Sequence, residues 1–222
     1  MGTGYLRIRS RLMLIPMSTV IDLWNPHYPP RIIHVGAHLG EERDAYEAAG
    51  TAVVWWCEGN PDLLPPLRSH LCEPRPQTST QHQVVHAILG PRDDEPIILN
   101  IAEDTMTSSV LAGGTVPVDY VGAHSMRSTT LDTICGELGQ PTMIACDAQG
   151  FDLEILRGAQ KTLPGVEVVY VEVSEVPIYK GSAHRTEVDQ FLWDAGFRLA
   201  LTEMSRNGEG WGDSCYVRRG IR

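Results

Sequence analysis

Residues 31–42 read RIIHVGAHLGEE. A β-branched run, Arg31 to Val35, ends in a glycine turn that opens a helix-like stretch. Gly36 and Gly40 let backbone approach a ligand closely at the carboxyl end of the strand. Outward from this unit the same rhythm repeats. Apolar runs recur at Ala52–Cys57 (AVVWWC), Val84–Leu89 (VVHAIL), Met143–Cys146 (MIAC) and Val166–Val173 (VEVVYVEV). Several are continuously apolar, the pattern of parallel strands covered on both faces. Between them the spacing predicts helices over Glu41–Ala49, Pro61–Leu71 and Phe151–Leu163, the last stopped by Pro164-Gly165. The expected fold class is α/β, a Rossmann-like, mostly parallel doubly wound sheet. A helix at Glu187–Ala195 and strands at Phe197–Thr202 and Ser214–Arg218, with Asn207-Gly208 between them, predict an antiparallel strand pair at the carboxyl-terminal end. Ile97–Ile101 reads as an extra strand, and the Ser-, Thr- and Gly-rich stretch Asp104–Gly122 as a loop over a site. Residues 1–30 form an extension with a short helix near Thr19–Trp24, and residues 31–222 form one domain.

Composition narrows the function classes. The 222 residues carry a formal net charge of −10, so there is no electrostatic footprint for nucleic acid or anionic lipid. Five cysteines, an odd number without a CxxC pair, read as reduced thiols of a cytoplasmic protein rather than a disulfide framework or zinc site. No stretch approaches the length of a membrane span. Nothing specifies a partner beyond a small-molecule acceptor. A homodimer is compatible with the chain, and no face is marked for it.

The second strand run ends at Glu58, 22 residues after Gly36, near the spacing of an acid that binds a ribose hydroxyl pair. A nucleotide-type ligand follows. Glu41 and Glu42 open the next helix and would repel the pyrophosphate of a dinucleotide at its N-terminus. S-adenosylmethionine has no phosphate and carries a sulfonium and an ammonium, so it suits this loop better. A nicotinamide oxidoreductase is the rival that the two glutamates and the incomplete GxGxxG argue against.

The elements VGAHLGEE (35–42), CEGNPDLLPPL (57–67), Ser108-Ser109, TTLD (129–132), CDAQGFDLEILRGA (146–159), VEVVYVEVS (166–174) and GFRL (196–199) resemble, in order, those of the FkbM-type methyltransferase family. The resemblance implies a methyltransferase fold, S-adenosylmethionine as donor and a hydroxyl oxygen as the usual acceptor, often of a sugar or secondary metabolite in natural product biosynthesis. The chain departs from the family pattern at His34, His38, Gly59 and Ala145, where an acid, Asn, Pro and Lys are usual. A non-catalytic scaffold protein in a biosynthetic assembly is the alternative those departures leave.

Methyl transfer from a sulfonium needs alignment of donor and acceptor, and a hydroxyl acceptor also needs its proton removed. Asp147, just past the MIAC strand, is the first candidate for that carboxylate, with helix capping as its other reading. Glu172, near the end of its strand, is costly to bury unless it serves a site or a pair. His184, in the loop PIYKGSAHR, is a third candidate because histidine titrates near neutral pH. Gly36, His38, Gly40, Glu41, Glu58, Ser109 and Asp147 are the expected cofactor-binding residues, with Ser108 and Thr130 completing the cleft. No metal-ligand spacing such as HExxH occurs, and no metal is assigned.

Overall fold

The computed structural model describes residues 13–75, 78–115, 118–206 and 208–221. In chain order the elements are α1 (Met17–Trp24), β1 (Arg31–Val35), α2 (Arg43–Ala48), β2 (Val53–Glu58), α3 (Leu64–Cys72), β3 (Gln81–His86), β4 (Pro96–Ala102), β5 (Tyr120–Arg127), α4 (Leu131–Leu138), β6 (Met143–Cys146), α5 (Asp152–Arg157), β7 (Val168–Ser174), α6 (Arg185–Asp194), β8 (Phe197–Met204) and β9 (Trp211–Arg218). One seven-stranded sheet runs β3-β2-β1-β6-β7-β9-β8. Its first five strands are parallel; β9 runs antiparallel to β7, and β8 antiparallel to β9, so β8 runs in the direction of the first five. The strand order reverses between β1 and β6, which opens a crevice beyond their carboxyl ends.

Each central strand is apolar on both faces because each face has its own core. Ile33, Val35, Trp55, Cys57, Ile144 and Val169 pack with Leu131 and Ile134 of α4, Leu153 and Leu156 of α5, and Val188 and Leu192 of α6. Ile32, Val54, Trp56, Met143 and Val168 pack with Val20 and Trp24 of α1, Tyr46 of α2, and Leu67 of α3. Adjacent Trp55 and Trp56 therefore fall in opposite cores, as the two-residue period of a strand requires.

Several boundaries differ from the sequence reading. The third strand covers Gln81–His86 rather than Val84–Leu89. It is the sheet's edge, so alternating Gln81 and Gln83 suit it, while Ile88 leaves to pack with Leu99 and Ile101. That small core sits under an antiparallel hairpin of β4 and β5, a second sheet where only one extra strand was expected. Helix α5 ends at Arg157, and Gly158 beyond it is held against another chain segment, where a Cβ would fall 2.3 Å from the Gly90 carbonyl oxygen. Both carboxyl-terminal strands are longer than predicted, and Asn207 of the connecting turn lies outside the described residues. So does most of the basic amino-terminal stretch. From residue 13 onward the expected extension packs on the sheet: Ile15, Met17, Val20 and Trp24 are buried, and the Trp24 indole donates to Glu167 Oε2 at 2.6 Å.

Candidate active site and cofactor cleft

The turn after β1 is pressed onto the turn after β6. Gly36 has φ +79°, and a Cβ there would lie 1.9 Å from the Asp147 carbonyl oxygen, so only glycine fits. Its N–H and that of Ala37 both donate to the Cys57 carbonyl, at 3.0 and 3.1 Å. The Asp147 N–H donates to Val35 at 3.0 Å. The ends of β1, β2 and β6 are thus locked together, and Glu58 and Asp147 come to the same crevice.

Glu58 is 7% exposed. One carboxylate oxygen accepts from the His38 N–H at 2.8 Å, the other from the Asn60 N–H at 2.7 Å. Burial pushes its pKa up and these bonds oppose the rise, leaving it above the ordinary carboxylate value. His38 sits in the left-handed region, φ +46°. Its imidazole bridges Glu41 (Nδ1 to Oε1, 2.6 Å) and Thr105 (Nε2 to Oγ1, 2.9 Å), tying the glycine loop to the segment after β4. Burial lowers the His38 pKa, but the Glu41 bond and the charges of Glu41, Glu58 and Asp104 outweigh it, so the net shift is upward. For Glu41, burial acts upward, and the bond to His38 brings the net shift down. At Gly40, with φ +78°, a Cβ would fall 3.1 Å from Leu67 and 3.3 Å from Leu71 of α3.

Two cavities meet along this line. The first has an empty volume of about 660 Å³ and is walled by Ile88, Leu89, Leu99, Val110 and Phe151, with Glu58 and Ser109 as polar groups. The second is walled by Met13, His34, Glu42, Tyr170, Trp211 and Asp213. Gly36, His38, Met106, Asp147 and Gln149 line both. Asp147 therefore stands at their junction. It is not the cap of α5, whose N-cap is Phe151 without a side-chain bond; Asp152 in the first turn instead holds the preceding turn, accepting the N–H groups of Ala148 and Gly150 at 2.9 and 3.1 Å.

The Asp147 carboxylate accepts from Gln149 Nε2 at 2.6 Å, and the same nitrogen reaches Glu172 Oε2 at 3.3 Å. Glu172, 8% exposed at the end of β7, borders a smaller hollow beside Tyr179 and Val188 rather than either large cavity. Ser109 is 1% exposed, and its hydroxyl donates to the Gln149 carbonyl at 2.8 Å. Ser108 accepts from the Ala102 N–H. Thr130 is spent on capping α4 and on Asp93. His184 is not brought to the cleft either. It is exposed and caps α6 in a capping box with Glu187. Gln149 and Tyr179 join the site without having been singled out. The only signals in sequence were the polar residue two after Asp147 and a tyrosine in the loop after Glu172.

The methyltransferase FkbM domain matches residues 34–199. Hexuronic acid methyltransferase AglP of Haloferax volcanii is 26% identical over 102 residues, 45% of this chain. The match spans 40% of that relative's length. Among solved structures, magnesium protoporphyrin IX methyltransferase from Synechocystis PCC 6803 with bound SAM aligns with TM-score 0.54 and 13% identity, over 90% of this chain and 76% of that one. Precorrin 8w decarboxylase from Methanobacterium thermoautotrophicum aligns with TM-score 0.52 and 12% identity, over 94% of this chain and 91% of that one. At such identities these structures speak to the fold. The domain match, covering most of the chain, decides the rest: the protein belongs to the FkbM methyltransferase family, enzymes that draw their methyl group from S-adenosylmethionine.

Proposed function

We propose that the protein methylates a hydroxyl oxygen of a small molecule, a sugar or secondary metabolite, in the cytoplasm. The observation that carries this reading is the position of Asp147 where the two cavities meet. A carboxylate there adjoins both a chamber with an apolar wall and a second, more polar one. The first chamber suits an adenosyl group: its far wall is apolar, and Glu58 stands at its polar end. Each Glu58 oxygen accepts one backbone N–H and keeps lone-pair capacity for a ribose hydroxyl.

When bound, S-adenosylmethionine supplies a methyl group already activated on a sulfonium. The chain's own residues bind and align. Gly36 and Gly40 admit backbone close to the ligand, the His38–Glu41 pair holds the loop shut, and Ser109 steadies the turn after β6. Asp147 orients the acceptor hydroxyl and takes its proton, since it is the carboxylate shared by the acceptor and cofactor sides. Glu172 acts behind it, through Gln149. The sugar reading draws on the hexuronic acid methyltransferase relative. The net charge of −10 supports a small-molecule acceptor over nucleic acid or a membrane surface. Among the described residues no helix is long and apolar enough to cross a membrane.

Calorimetric titration with S-adenosylmethionine and S-adenosylhomocysteine tests the cofactor assignment, followed by a screen of hydroxylated sugars for methyl incorporation. Micromolar binding by the wild type, weakened about tenfold or more in Glu58→Ala, is expected from loss of charge-assisted hydrogen bonds. Binding unaltered by that substitution overturns the placement of the ribose. Methylation confined to nitrogen acceptors overturns the oxygen assignment.

A further inference from the structure

Gln149 is held in a conformation that glycine would adopt more easily. Its φ is +51°, in the left-handed region, and the residue is 8% exposed. A non-glycine residue kept there by its surroundings points to use of its side chain. That side chain touches three groups from three parts of the fold. Nε2 donates to Asp147 Oδ1 at 2.6 Å and reaches Glu172 Oε2 at 3.3 Å. Oε1 accepts from the Tyr179 hydroxyl at 2.6 Å.

We propose that Gln149 is a positioning residue, whose amide holds the Asp147 carboxylate at the junction of the two cavities while Tyr179 anchors the amide's other end. The chemistry of the amide carries this. One end offers two N–H donors, enough for two carboxylates, and the other end offers only an acceptor. Turned over, the amide would set its oxygen against Asp147 and Glu172. The two carboxylates oppose that, since as acceptors they have nothing to offer an amide oxygen, and in the orientation they impose the Tyr179 hydroxyl gives its proton to Oε1 rather than to the Thr107 carbonyl at 3.4 Å. The Ser109 hydroxyl bonded to the Gln149 carbonyl holds the backbone of the same residue. No other amide side chain joins these carboxylates among the described hydrogen bonds.

The inference rests on S-adenosylmethionine occupying the cleft beside Asp147, so the test reads cofactor affinity. Titrations of S-adenosylmethionine into wild type, Gln149→Leu, Gln149→Glu and Tyr179→Phe are compared at about pH 7.5 and about pH 5.5. Gln149→Leu is expected to weaken binding about tenfold at both pH values. Gln149→Glu is expected to be at least as weak at the higher pH, where a third carboxylate joins two. At the lower pH it returns to within about threefold of wild type, because a protonated carboxyl reproduces one donor and one acceptor of the amide. Tyr179→Phe weakens binding, and adds nothing in a Gln149→Leu background. A structural role alone would give no such pH rescue. Gln149→Leu binding within about twofold of a folded wild type overturns the proposal. So does Gln149→Glu equally weak at both pH values, a comparison within one protein that holds even if Gln149→Leu fails to fold. Absent wild-type binding instead overturns the cofactor placement itself, and this inference with it.

Discussion

Glu42 and His34 face each other across 3.9 Å at the floor of the second cavity, and burial acts on them in opposite directions. His34 stacks on Trp56, its Nδ1 lies 2.7 Å from the Tyr46 hydroxyl, and burial pushes its pKa down to about 4 against the pull of Asp147 and Glu41. Glu42 is pushed up to about 8, by burial first and then by the charges of Glu41 and Asp147, with its backbone hydrogen bond and His38 opposing. Both are therefore held neutral near pH 7, so the acidity of the loop is milder than two adjacent glutamates imply. The signs for stability follow. Between about pH 4.3 and 8 the folded chain holds a proton on Glu42 that the unfolded chain has released, so this group's contribution falls as pH rises. His34 does the reverse between about pH 4 and 6.5, where the unfolded chain binds the extra proton and stability rises with pH. Above about pH 6.5 only the Glu42 contribution of this pair still changes. Wild-type stability, relative to Glu42→Gln, is expected to fall by on the order of 1 kcal/mol between about pH 6.5 and 8. Urea unfolding at the two pH values measures it. Parallel curves for the two proteins would show that Glu42 ionises normally.

At the scale of elements, α6 shows why one candidate moved. A histidine in a loop before a helix has two readings, base or cap, and the same residues, His184 and Glu187, satisfy both. The structure uses the cap: the His184 N–H donates to Glu187 Oε2 at 2.8 Å, and His184 Nδ1 accepts from the Thr186 N–H. His184→Ala is expected to cost about 1 kcal/mol of stability, the usual worth of an N-cap, and to leave S-adenosylmethionine affinity within about twofold. A loss of affinity without a loss of stability would return His184 to the site. The same contrast explains what was legible in the sequence. Gly36, Glu58 and Asp147 are read from position, because continuous apolar runs mark parallel strands and ligands gather at their carboxyl ends. The β4–β5 hairpin was half hidden because β5 (YVGAHSMR) is exposed along most of its length and lacks an apolar face. The Gln149–Tyr179 bond was not legible at all. It joins residues 30 apart and depends on how the loop after β7 folds back, which no local spacing encodes.

The whole molecule is a sheet between two cores, and its second core depends on chain that precedes the first strand. Trp24 is 1% exposed and pinned to Glu167, while Ile15, Met17 and Val20 fill the same face. Residues 13–15 also bound the site. Met13 lines the second cavity, the Leu14 N–H donates to Asp213 Oδ2 at 2.7 Å, and Tyr170 bonds the same carboxylate. The domain is therefore not self-sufficient from residue 31. Ile15, Met17, Val20 and Trp24 share a core with Ile32, Met143, Val168 and Val217 of the sheet. Trp24→Ala is expected to lower unfolding free energy by about 3–5 kcal/mol, the cost of emptying a large buried site. Removal of residues 1–30 is expected to abolish a cooperative unfolding transition, since it strips Ile15, Met17, Val20 and Trp24 from the core that α1 shares with α2 and α3. Denaturant unfolding followed by tryptophan fluorescence and circular dichroism distinguishes the cases. A shortened chain that still unfolds in one sharp transition, and still binds S-adenosylmethionine, would show that the second core closes without α1. The boundary at residue 31 would then stand as a true domain edge.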